Sequence, residues 1–182
     1  ILMPHFHLPA QCGSDRLLTM MNRGYTQADY LRIIDRVRAK APAVRFSSDF
    51  IVGFPTESDK DFQDTLALMT AVRFDQTFSF VYSPRPFTHA QNFFDDVSAV
   101  VKNERLQILQ HLDQQITLEQ NQKEVGSTQD VLIERTDNVN SELPNMGRTP
   151  GNKQIFLNGT ANVGDIVSVK VVEGKGHYLV GE

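Results

Sequence analysis

Two rhythms of apolar residues alternate along the first two-thirds of the chain. After the turn Gly13-Ser14-Asp15, Leu17, Leu18 and Met21 follow at helical spacing until Gly24 stops them. Thr26-Gln27-Ala28-Asp29 is a capping-box pattern, in which a hydroxyl and a carboxylate satisfy the orphan N–H groups of a helix start. Tyr30, Ile34 and Val37 then make one apolar face, and Pro42 ends the helix. The stretch from Val44 to Val52 is strand-prone and finishes in Ile51-Val52-Gly53-Phe54-Pro55, a strand running into a turn. Ser58-Asp59-Lys60-Asp61 repeats the capping box and opens a helix whose Phe62, Leu66 and Met69 are expected to face inward. From Asp75 to Tyr82, the residues Phe78, Phe80 and Tyr82 alternate with Thr77, Ser79 and Val81, the period of two that a strand requires.

Strands separated by helices of this length imply βαβ units and a parallel sheet. Ligands of such sheets sit at the carboxyl ends of the strands. Three loops leave predicted strands on that edge: Pro9 to Ser14, Gly53 to Ser58 and Ser83 to Thr88. They are expected to meet at a common rim. A long helix follows from Val97 to about Val125, with Leu109, Leu112 and Ile116 on one stripe, and Gly126 breaks it. Beyond it Gly, Asn, Thr and Val dominate. Gln129 to Glu134, Gln154 to Leu157, Asp165 to Val172 and Tyr178 to Val180 read as short strands, and Val167, Val169 and Val171 mark one face of the longest. The expected organisation is an α/β domain over residues 1–125 and a small closed barrel of oligonucleotide-binding type over 126–182.

Composition narrows the classes. With 182 residues, 40% hydrophobic and 22% charged, the chain has an ordinary folded composition. Its net charge of -4 excludes a grip on nucleic acid by bulk charge, though not by a local basic patch. No apolar run approaches the roughly 18 residues of a membrane span, and no signal peptide opens the sequence, so a cytoplasmic setting is expected and no membrane partner. The single cysteine, Cys12, excludes an internal disulfide. The opening Ile1-Leu2-Met3-Pro4-His5 lacks the marks of a natural start, and the chain reads as a piece of something longer.

Two residues carry chemistry on their own terms. Asp49 lies in a strand otherwise rich in apolar residues, next to Ser47 and Ser48; a carboxylate there is costly unless paired, so it is expected to face a polar barrel mouth, as a ligand contact or in an ion pair with Arg85 or Arg45. Arg85, between Pro84 and Pro86, sits on a stiff backbone that suits its planar fork to a phosphate or carboxylate.

Read together, the motifs resemble one family. His7-Leu8-Pro9-Ala10-Gln11-Cys12-Gly13-Ser14, followed by Met21-Asn22-Arg23-Gly24-Tyr25-Thr26, is similar to the signature of the MiaB-type tRNA methylthiotransferases. Ser48-Asp49-Phe50-Ile51-Val52-Gly53-Phe54-Pro55 and Phe80-Val81-Tyr82-Ser83-Pro84-Arg85-Pro86 match two further motifs in order, and Gly147-Arg148-Thr149 with Gly164-Asp165 resembles the TRAM domain that ends these enzymes. The resemblance implies the second part of a radical S-adenosylmethionine (SAM) (β/α) barrel, followed by a small OB-like TRAM barrel. It implies a SAM-dependent methylthiolation of isopentenylated adenosine beside the tRNA anticodon. Relatives that act on threonylcarbamoyl-adenosine or on a ribosomal protein are alternatives, as is a non-catalytic RNA-binding remnant.

The family holds two [4Fe-4S] clusters on cysteines. Ligation takes about three or four thiolates, so this chain, with Cys12 alone, is expected to be inactive by itself. By the same resemblance Pro9, Gln11, Asp49, Gly53, Phe54 and Glu57 would face the cofactor, with Gly53 letting the backbone approach the adenine. Arg85, Arg148, Thr149, Asn152 and Lys153 would face tRNA. An electron donor is implied as a further partner, and a monomer is expected. The chain departs from the family at Cys12, where Ser is usual, at Thr56, where Gly is usual, and at Phe87-Thr88-His89-Ala90, where the family continues Gly-Thr-Pro-Ala. On residues alone, Gly53 to Ser58 is a strand-to-helix turn capped by Ser58, and the tail is a barrel with a mixed surface.

Overall fold

Residues 3–136 and 143–182 are described in the computed structural model. Contacts divide the chain into two units, Phe6–Asp113 and Gln114–Glu182, the latter with the first few residues. In the first unit the elements run β1 (His5–His7), α1 (Asp15–Met20), α2 (Gln27–Lys40), β2 (Arg45–Val52), α3 (Asp59–Val72) and β3 (Gln76–Val81). A one-turn 3-10 helix (His89–Asn92) and α4 (Ala99–Gln122) follow, and the division between the units falls within α4.

The strands form one sheet in the order β1-β2-β3, with β2 and β3 parallel. Both expected capping boxes are present: Thr26 with Asp29 opens α2, and Ser58 with Asp61 opens α3. Phe46, Phe50 and Val52 of β2 are buried with Tyr30 and Ile34 of α2, which is the period of two meeting the period of 3.6. On α3 the inward stripe is Phe62, Thr65, Leu68, Met69 and Val72, and the expected Leu66 is only half-buried. Thr65 takes an inner place because its hydroxyl is used: it accepts from Gly13 N–H at 3.0 Å and donates to the Asp61 carbonyl at 3.2 Å. The other face of the sheet carries Asp49 opposite Phe78 and Ile51 opposite Phe80, and both phenylalanines are well exposed.

The second unit contains a closed barrel, in the order β4-β5-β6-β8-β7, of β4 (Thr128–Arg135), β5 (Asn145–Arg148), β6 (Gln154–Leu157), β7 (Ile166–Gly174) and β8 (Leu179–Gly181). Its core is Val131, Ile133, Ile155, Leu157, Val169, Val171 and Leu179. Strand β5 is absent from the sequence expectation because Asn145-Met146-Gly147-Arg148 has no β-branched residue to signal it. Gly147 is there for closure instead: a Cβ would lie 2.5 Å from the Leu132 carbonyl oxygen and from Val131 Cγ1. Among the described residues no helix is long and apolar enough to cross a membrane.

Candidate functional site

The three loops that leave the carboxyl edge of the sheet converge on one cavity of about 460 Å³. It is lined by Gln11 and Phe54 from the first two loops, and by Ser83, Arg85 and Thr88 from the third. Ile51, Phe80 and Tyr82 make its apolar wall.

Gln11 is the most constrained of these residues. It sits in left-handed backbone (φ 71) and is held there by a parallel bridge to β2, in which its N–H donates to Asp49 O at 2.9 Å and its carbonyl accepts from Ile51 N–H at 2.8 Å. The residue is buried (8% exposed) at the cavity wall, and its side chain makes no hydrogen bond to the described residues. A side-chain amide without a protein partner, on the wall of a cavity, is a place for a polar ligand atom.

Beneath the second loop lies a clamp that sequence reasoning missed. Gly53 has φ +70, and the space over its Cα is filled by Lys102, whose Cγ would lie 2.3 Å from a Cβ. Lys102 pairs with Asp95 and lies over the Tyr82 ring at 5.6 Å. One turn along α4, Arg105 donates to the Glu57 carbonyl at 3.0 Å, to Glu57 Oε2 at 2.8 Å and to Asp59 Oδ1 at 2.7 Å. Glu57 Oε2 also accepts from Gly53 N–H at 2.7 Å, while Oε1 is buried without a partner. Burial raises the Glu57 carboxyl above its ordinary value, against the pull of Gly53 N–H and Arg105. The only sequence signal for this clamp is two cations on the helix stripe next to Val101, Leu106 and Leu109.

The backbone after Gly53 keeps a left-handed residue despite the missing glycine. Thr56 has φ 67, and three contacts fix it: its N–H donates to Asp96 Oδ1 at 2.7 Å, and Arg16 donates to its carbonyl at 2.7 Å and its hydroxyl at 3.0 Å. Arg16 is anchored in turn on Asp61. Burial would raise the Asp61 carboxyl, but Arg16 and the Ser14 and Ser58 donors outweigh it and hold the group well below the carboxylate range.

Two family models match the chain in this order: the radical SAM superfamily over residues 2–69 and the TRAM domain over residues 122–182. A tRNA-2-methylthio-N(6)-dimethylallyladenosine synthase of Syntrophus aciditrophicus is 47% identical over 100% of this chain and 39% of its own length. Relatives of the same name from Carboxydothermus hydrogenoformans (43%, over 97% of this chain and 40% of theirs) and Agrobacterium fabrum (44%, over 100% and 40%) agree. The chain belongs to the MiaB-type methylthiotransferase family. It spans about two-fifths of the length of the curated relatives it matches. Among solved structures, coproporphyrinogen III oxidase (HemN) from Escherichia coli, described as a radical SAM enzyme, shares the fold. The TM-score is 0.54 at 17% identity, over 83% of this chain and 40% of that one.

The MiaB-type family implies a SAM site and iron–sulfur clusters, and the residues present fit only the first. The cavity offers an apolar wall for a purine and the Gln11 amide, which makes no hydrogen bond to the described residues. A cluster finds no ligands: among the described residues no group of three His, Cys, Asp or Glu could hold a metal, and the chain's single cysteine, Cys12, is fully buried.

The other expected contacts divide. Pro9 is half-buried, and its carbonyl accepts from Tyr25 Oη at 3.2 Å. Asp49 faces the side of the sheet away from the helix-packed core, but it pairs with His7 (3.4 Å), not with Arg85 or Arg45; Arg45 is taken by Asp75. Glu57 is inside the clamp and does not line the cavity. The expected approach of a ligand to Gly53 Cα is occupied by Lys102. In the TRAM unit, Arg148 contacts Glu134 at 3.2 Å and the Asn152 carbonyl at 3.1 Å. Thr149 is buried and its Oγ1 accepts from Lys153 N–H at 3.2 Å, while Asn152 takes the left-handed turn position (φ 63) and Lys153 Nζ reaches Asn121 Oδ1. These four residues are one self-braced turn, in which Thr149 is structural and Arg148, Asn152 and Lys153 keep partial exposure.

Proposed function

We propose that this chain forms part of a tRNA-2-methylthio-N(6)-dimethylallyladenosine synthase, contributing one side of its SAM cavity and its RNA-holding TRAM barrel. The observation that carries the reading is alignment over the whole of this chain, at 47% identity, with 39% of a relative of that name, through both units and in the same order. SAM, when bound, supplies the radical precursor and the methyl group. The chain's own part is to bind and orient. Gln11 offers its amide to the polar end of the ligand, Phe54 and Ile51 flank a flat ring, and the Glu57–Arg105 clamp keeps the Gly53 turn from moving. Arg148, Asn152 and Lys153 meet the phosphates of tRNA, with Arg85 doing so nearer the cavity. An external electron donor, a monomeric state and a cytoplasmic setting belong to the same reading. The test is nucleoside mass spectrometry of tRNA from cells lacking the gene that encodes this chain. Loss of the methylthio-dimethylallyl adenosine and its return on complementation are expected; an unchanged level rejects the assignment.

A further inference from the structure

The mouth of the cavity carries side chains that cofactor binding leaves unused. Arg85 and Arg23 both line it, both are exposed, and neither guanidinium has an ion pair or hydrogen bond to the described residues. Between Arg85 and Thr88, which also lines the cavity, stands Phe87. Its side chain is fully exposed (104%) and its backbone is left-handed, with φ 66. Both features are unfavourable, the ring for its exposure to water and the backbone because that region suits glycine. The turn is nonetheless braced. Phe87 N–H donates to Gln91 Oε1 at 3.2 Å, the Thr88 hydroxyl donates to the Arg85 carbonyl at 2.8 Å, and Pro84 and Pro86 fix the flanking φ angles. A stiff turn thus holds an aromatic ring out in water two positions along the chain from Arg85, while Arg23 lines the same cavity mouth, and strain of this kind concentrates where a ligand is met.

We propose that Phe87, Arg85 and Arg23 form a seat for one unstacked nucleotide of an RNA loop, at the mouth of the cavity. The Phe87 ring stacks on the base and the two guanidinium groups hold its flanking phosphates. This rests on the tRNA reading above. A nucleotide matches both halves of the seat, a flat apolar face for the ring and anionic oxygens for the forks. An acidic peptide would occupy the arginines and leave the ring bare.

The test is fluorescence anisotropy of a fluorescein-labelled RNA hairpin with an adenosine-containing loop, titrated with the 182-residue chain over a range of salt concentrations. Phe87→Gly is expected to weaken binding about tenfold without changing the salt slope, while unfolding no more easily than the wild type, because glycine relieves the left-handed backbone. The double variant Arg23→Ala/Arg85→Ala is expected to flatten the slope of log affinity on log salt by about 0.7 per arginine removed. Unchanged affinity in Phe87→Gly together with an unchanged slope in the double variant overturns the seat. If Arg148→Ala/Lys153→Ala still weakens binding in that case, the RNA reading stands and the seat alone has failed. Absence of binding by the wild type at low salt overturns both.

Discussion

Replacing Arg105 by methionine tests the clamp under the cavity. Methionine keeps an apolar stem beside the Phe62 ring, over which the guanidinium lies at 5.6 Å, so the substitution removes mainly charge and hydrogen bonds. Of the three bonds lost, the one to Asp59 contributes little, since that side chain is 98% exposed. The cost comes from Glu57, whose side chain is fully enclosed and would keep only the Gly53 N–H, with Oε1 already without a partner. Stranding one member of a buried pair costs about 3–5 kcal/mol. The loss must depend on pH. Burial already raises the Glu57 carboxyl above the ordinary glutamate value of 4.5, and removing Arg105 raises it further. A group raised in the folded state contributes stability at low pH and loses it as pH rises through the folded value, so the variant suffers most at neutral pH and above. Urea unfolding at pH 8 is expected to show the full deficit and at pH 5 a smaller one. Glu57→Gln combined with Arg105→Met should recover part of it, with a coupling energy of about 1–3 kcal/mol. A deficit below about 1 kcal/mol at pH 8, or one equal at both pH values, refutes the clamp.

Three further outcomes follow from the same geometry. Thr56→Gly should change stability by less than about 1 kcal/mol in urea unfolding, because relief of the left-handed backbone offsets the lost Arg16 contact and the gained chain entropy; Thr56→Val, which keeps the branch and loses the hydroxyl, should destabilise. Asp61→Asn should cost about 2–4 kcal/mol at neutral pH, because it breaks the charge pair with Arg16 and replaces one of the two oxygens that accept from Ser14 and Ser58 by a donor. That deficit should fade as pH falls below the ordinary aspartate value of 3.8, where the wild type loses what its lowered carboxyl contributes. Cys12, fully buried and with its thiol pushed up to about 12, should resist iodoacetamide at pH 8 until urea unfolds the chain; rapid labelling of the native protein would contradict its burial.

The sequence by itself determined what depends on near neighbours. Both capping boxes, the alternation of Phe78 and Phe80 in β3 and the valine face of β7 are local patterns. They are read correctly because three or four residues suffice to satisfy a helix start or to set the period of a strand, although which face of β3 is covered was not local, since Phe78 and Phe80 are exposed. The meeting of the loops after β1, β2 and β3 was also legible, since strands joined as βαβ units run parallel and share one carboxyl edge. Tertiary structure decided the rest. That Glu57 turns inward, that Lys102 fills the space over Gly53 and that Thr56 holds a glycine's backbone all depend on partners 40 or more positions away, Asp96, Lys102, Arg105 and Arg16. Strand β5 exists for the same reason: its residues have little strand propensity, and barrel closure around Gly147 supplies what local preference does not.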